Sequence, residues 1–117
     1  MEDNKIKEKI MTEMAAADFI KNTGLIMRTI NYIPEFKNKW FRLSELEMAL
    51  SSRTIEKEKL YEALSYLEGK RYIQARDRDS KHPIEFMDID EELVDLKLTA
   101  DGMLIVKCIT KDPGIEM

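Results

Sequence analysis

The chain has 117 residues, the size of one domain, with 44% apolar and 36% charged residues and only four Gly and three Pro. That mixture excludes a disordered, collagen-like or all-β chain and favours a helix-rich globular one. Nineteen Lys and Arg against 23 Asp and Glu give a net charge of -4, which excludes a wholesale basic coat but leaves room for a local basic patch.

A single cysteine cannot build an intramolecular disulfide framework or a cysteine-based zinc site, and it fits a reducing compartment. The longest apolar runs, Met14–Ala17 and Met103–Val106, are far too short to span a bilayer. The acidic opening Met1-Glu2-Asp3-Asn4 is unlike a signal peptide, so a soluble, cytoplasmic protein is expected.

From the N-terminus, Ile6, Ile10, Met14 and Ala17 recur every three or four residues and predict an amphipathic helix over about Asn4–Lys21. Asn22-Thr23-Gly24 then suggests a break, with Thr23 capping a second helix that carries Ile26, Met27, Ile30 and Ile33 and stops at Pro34. The alternative is one helix running through, at a cost of about 1 kcal/mol for an interior glycine. Trp40–Leu43 reads as a short extended piece. Ser44-Glu45-Leu46-Glu47 has the spacing of a capping box for a short helix to Leu50.

After the turn Ser51-Ser52-Arg53, Thr54 is the expected cap of a helix with Leu60, Ala63, Leu64 and Leu67 on one face, closed by Gly69. The period then changes to two. Tyr72–Arg76 and Ile84–Ile89 flank a polar turn around Asp79–Pro83, which predicts a hairpin, and Val94–Leu98 a third strand. Thr99 opens a last helix bearing Met103, Leu104, Val106, Cys108 and Ile109, with Asp112-Pro113-Gly114 as its stop. Cys108 is expected on that helix's apolar face, as an inert core thiol.

The stretch Leu60-Tyr61-Glu62-Ala63-Leu64-Ser65-Tyr66-Leu67-Glu68-Gly69-Lys70-Arg71-Tyr72-Ile73 resembles the third helix and first wing strand of winged helix-turn-helix proteins. Leu98-Thr99-Ala100-Asp101-Gly102-Met103-Leu104 resembles the entry to the helix after the wing. The resemblance, to small regulators of bacteria and phages, covers about residues 24–109. It implies an α+β, mainly α fold, with an extra N-terminal helix over residues 1–22, a winged-helix core over 23–98 and a C-terminal helix and tail over 99–117.

The resemblance also implies binding to double-stranded DNA, with the third helix entering the major groove. Arg53, Thr54, Lys57 and Tyr61 would stand near that groove, and Arg76, Arg78 and Lys81 would meet phosphate or the minor groove from the wing. Residues 53–83 hold eight Lys and Arg against six Asp and Glu, whereas residues 84–117 hold three against nine. The mildly basic part thus coincides with the expected reading surface, although an ordinary solvated hairpin gives the same pattern.

Against DNA stand Glu58 and Glu62 on the outward side of the same helix, which repel phosphates. They leave open a winged helix that serves as a protein-interaction module. His82, the only histidine, cannot form a histidine-rich metal site, and no cofactor loop or nucleophile–base set is present, so neither an enzyme nor a cofactor is expected. The N-terminal stripe needs a partner surface. The C-terminal helix of a second copy, in a two-fold homodimer, is the expected one.

Overall fold

A computed structural model describes residues 2–51 and 55–117. The chain runs α1 (Glu2–Tyr32), β1 (Phe41–Arg42), α2 (Leu43–Leu50), α3 (Lys57–Gly69), β2 (Ile73–Asp77), β3 (Pro83–Ile84), β4 (Val94–Leu98) and α4 (Ala100–Val106). Mainly helical, it is an α+β arrangement around one antiparallel sheet of order β1-β4-β2-β3. The inward residues Phe41, Ile73, Ala75, Val94, Leu96 and Leu98 pack on Ile26, Met27, Ile30, Leu43, Leu46, Leu60, Leu64 and Leu67. The apolar phase expected for the third helix is the buried one.

The expected break at Asn22–Gly24 is absent: α1 is a single helix of 31 residues. Thr23 does not cap. Its hydroxyl donates within the helix–tail contact, with the carbonyls of Ile20 at 2.9 Å and Gly114 at 2.5 Å as acceptors. Gly24 is there for proximity, since a Cβ on it would lie 1.9 Å from the Glu116 carbonyl oxygen. The C-terminal tail therefore lies along α1 and explains the small residues that sequence reads as a helix break.

Other local signals shift by a few residues. The α2 start is at Leu43 rather than Ser44, and Glu45 accepts from the Arg42 amide at 3.4 Å. Lys57 opens α3 after Glu56, while the expected cap Thr54 lies outside the described residues. The left-handed residue that closes α3 is Arg71 (φ 62°), not Gly69. The Tyr72 amide reaches back to the Leu67 carbonyl and the Arg71 amide to Glu68, both at 2.9 Å, the two bonds of a Schellman closure.

The second hairpin strand is shorter than expected. Only Pro83–Ile84 pairs with β2, and the chain then makes 3-10 turns at Phe86–Asp88 and Glu91–Leu93. Phe86 is buried, and its amide donates to Glu68 at 3.1 Å. The principal partner of β2 is β4, over Ile73–Asp77 against Val94–Leu98. Thr99 caps α4 as expected, accepting from the Gly102 amide at 3.0 Å. That helix ends at Val106, so Cys108 falls beyond it, exposed and with φ 58°, and is not a core thiol. Among the described residues no helix is long and apolar enough to cross a membrane.

Candidate nucleic-acid interface

Strand alternation gives the sheet an inner apolar face and an outer polar one. The register sets Arg42, Asp95 and Arg76 abreast across β1, β4 and β2, with Pro83 of β3 next in line. One row along, Gln74 stands opposite Lys97, and Trp40, immediately before β1, continues the outward phase of Arg42. The Arg76 guanidinium lies 4.1 Å from the Trp40 ring centroid and the Lys97 ammonium 5.9 Å from it. Stacking of this kind holds a flat cation against the ring face. Arg76 also pairs through Nε with Asp95 at 3.3 Å, and Asp95 is only 6% exposed.

These two rows therefore present three cations, Arg42, Arg76 and Lys97, and one indole, against a single carboxylate that sits low in the sheet. Arg78 extends the surface, since its amide continues the ladder to the Leu93 carbonyl at 2.8 Å. In the turn beyond β2, the Asp77 side chain accepts from the amides of Asp79 at 2.8 Å and Ser80 at 3.1 Å. The Ser80 and Asp79 bonds hold its carboxyl below the ordinary value. Lys81 adopts φ 64°, and its amide donates to the Asp77 carbonyl at 2.8 Å. The tip is thus a fixed turn with Lys81 and His82 exposed.

The expected groove-facing residues are used differently. Lys57 pairs with Glu91 at 2.8 Å. The Tyr61 hydroxyl donates to Glu91 and lies 3.0 Å from Glu47, which joins α3 to α2 and to the Glu91 turn. Burial, then the two carboxylates, pushes the Tyr61 phenol well above its ordinary range. The Lys57 ammonium and the Tyr61 hydroxyl hold Glu91 down to about 2, while burial and the neighbouring Glu91 raise Glu47. Lys57 and Tyr61 are therefore committed to intrachain bonds. Glu58 and Glu62 remain exposed on the outer side of α3. Arg53 and Thr54 lie outside the described residues.

The structure thus brings Arg76 and Arg78 to one face and sets Lys57 and Tyr61 apart on another. Sequence reasoning misses Arg42 and Lys97 as members of this surface and reads Trp40 only as part of a short extended piece. The alternation Trp40-Phe41-Arg42 carries a signal, but its meaning depends on β1 pairing with β4, across more than fifty residues. Among the described residues no cluster of three or more His, Cys, Asp or Glu side chains is placed to hold a metal ion. Compared with known families, curated proteins and solved structures, the chain matches none.

Proposed function

We propose that the protein is a winged-helix module that binds double-stranded DNA through the outer face of its sheet and the adjoining turn. The observation that carries this reading is the surface of Trp40, Arg42, Arg76 and Lys97, in which cations outnumber carboxylates although the whole chain is acidic. The winged-helix reading is supported by the element order, helix, strand, two helices and hairpin, with β4 between β1 and β2. In this reading Arg78 and Lys81 carry the surface on to the turn, and phosphates rather than base edges provide most of the affinity. Lys57 and Tyr61 support α2 and α3 instead of reaching a groove.

A titration of random-sequence duplex DNA against salt tests the reading. Several phosphate contacts require the logarithm of the binding constant to fall linearly with the logarithm of salt concentration. No measurable binding at about 50 mM salt, where such contacts are strong, rejects it. One observation favours the protein-interaction reading instead: Glu58 and Glu62 are exposed one turn apart on α3, a spacing suited to a basic protein surface.

A further inference from the structure

Among the described residues, the N-terminal half of α1 has no contact that explains its apolar residues. Every residue from Asp3 to Asp18 is exposed, with Ile6 at 57%, Ile10 at 49% and Met14 at 62%. At 1.5 Å per residue this arm projects roughly 24 Å, and it accounts for much of the molecule's 55 Å long axis. At about 100° per residue, Ile6, Ile10, Met14 and Ala17 share one stripe. The buried residues Thr23, Ile26, Met27 and Ile30 lie on another side, turned by roughly 140°. A helix laid on the stripe therefore clears the arm's own domain.

We infer that the arm pairs with the arm of a second copy, antiparallel, about a two-fold axis that crosses the stripe at the level of Thr12. That axis sets Ile10 against Met14 of the second copy and Ile6 against its Ala17. The charges on either flank of the stripe select this arrangement. In an antiparallel pair, same-side flanks face each other in reverse order. Lys7 then meets Asp18 of the second copy, Lys9 meets its Glu13, and Asp3 meets its Lys21. All three pairings join opposite charges. A parallel pair sets opposite flanks against each other instead, which brings Glu13 to Asp18 of the second copy, a contact between like charges. Lys5 and Glu8 point away from the stripe on the same geometry. The C-terminal helix is a poorer match, because Ile105 and Val106 are already buried in their own core.

Sedimentation velocity of the full chain, without DNA, tests the inference and is independent of the nucleic-acid reading. The wild type should sediment as a dimer. Lys7→Glu with Lys9→Glu should weaken it by about tenfold or more through like-charge contacts, and Glu13→Lys with Asp18→Lys should do the same. The quadruple variant, which exchanges the charges, should recover the dimer. Thermal melts should show the domain folded in each, because Lys7, Lys9, Glu13 and Asp18 are all exposed, Asp18 at the edge of a groove with Lys59 and Glu62 of α3.

Orientation is read by oxidation in a Cys108→Ser background. Chains with Ile10→Cys should cross-link to chains with Met14→Cys more readily than either does to itself. A monomeric wild type, a dimer indifferent to both charge reversals, a quadruple variant that stays monomeric, or preferential self-linking of Ile10→Cys each overturns the inference.

Discussion

The carbonyl oxygen of Glu116 occupies the space that a side chain on Gly24 would need, 1.9 Å from where its Cβ would be. Around this point the tail is held by the Arg28 guanidinium on the same carbonyl at 2.6 Å, the Glu116 amide on the Ile20 carbonyl at 3.2 Å and the Thr23 hydroxyl on Gly114. The last residues of the chain are thereby part of the first helix's packing.

Gly24→Ala separates two effects of opposite sign. Helix propensity alone predicts a gain of about 1 kcal/mol in an α-helix interior. The close approach of the tail predicts a loss, because the obstructing atom is backbone and overpacking costs about 1–3 kcal/mol. Denaturant unfolding should show net destabilisation. A more stable Gly24→Ala protein would show that the tail yields freely.

Leu64 is fully buried at the centre of the core-facing side of α3. Truncation to Ala should cost about 2–5 kcal/mol, through the forfeited transfer free energy plus the cavity left behind. Thermal or urea melts give the value, and a loss below about 1 kcal/mol would be incompatible with this packing.

Much of this core is legible in the sequence because it depends on local period. Leu60, Ala63, Leu64 and Leu67 repeat as a helix face must, and Thr99 caps the helix it precedes. Gly24 misleads because glycine has two uses, ending a helix and admitting a close neighbour, and only the distant Glu116 decides between them. Phe86 reads as part of a strand because its place among apolar neighbours resembles a strand's, while its local backbone is a 3-10 turn. The candidate interface is the least legible part. Arg76 and Arg78 are visible by alternation, but Trp40, Arg42 and Lys97 join them only through strand register.

A second tether of the tail responds to alkali. The Tyr66 hydroxyl donates to Asp112, as does Tyr72 at 2.7 Å, and the Gly114 amide donates to the same carboxylate at 2.8 Å. Burial and this bond push Tyr66 up to about 12, and the bond followed by burial does the same for Tyr72. A phenol raised above its ordinary value of 10.0 holds its proton more tightly folded than unfolded. Its stabilisation is whole below about pH 10 and is lost as pH climbs through about 12. Tyrosinate absorbance should report three late-titrating tyrosines in the wild type, Tyr61, Tyr66 and Tyr72, and Asp112→Asn should bring Tyr66 and Tyr72 back toward 10. An unchanged titration would dissociate them from Asp112.

Arg76 has a structural burden that complicates its use as a DNA probe. Removing it strands Asp95, which is buried and whose carboxylate it pairs with. Arg76→Ala should therefore destabilise the fold by about 1–3 kcal/mol, the range for a buried polar group left without its partner. Asp95→Asn in the same chain should recover part of the loss, since the stranded charge is gone. Equal stability of Arg76→Ala and wild type in urea would mean that the pair contributes nothing.

The exposed members of the sheet face separate the two functional readings without that complication. Arg42 is exposed and Lys97 half-buried, and neither is the partner of a buried carboxylate in the way Arg76 is. If the face meets phosphates, changing Arg42 and Lys97 together to Glu should weaken binding to every duplex alike. The slope of log K against log salt should fall by about 1–2 units, because each cation removed leaves one phosphate with its counterions. Sequence preference should hardly change, because phosphate contacts position the protein without reading bases. Glu58→Gln with Glu62→Gln should leave that slope unaltered if α3 faces away from the DNA, and should strengthen binding if α3 approaches the groove, by removing repulsion. Under the protein-interaction reading the sheet variants have no salt-dependent affinity to lose. The glutamate variants instead loosen a basic partner measured by titration calorimetry. Retained affinity and slope in the Arg42→Glu, Lys97→Glu chain would remove the sheet face from the binding site, whatever the protein binds.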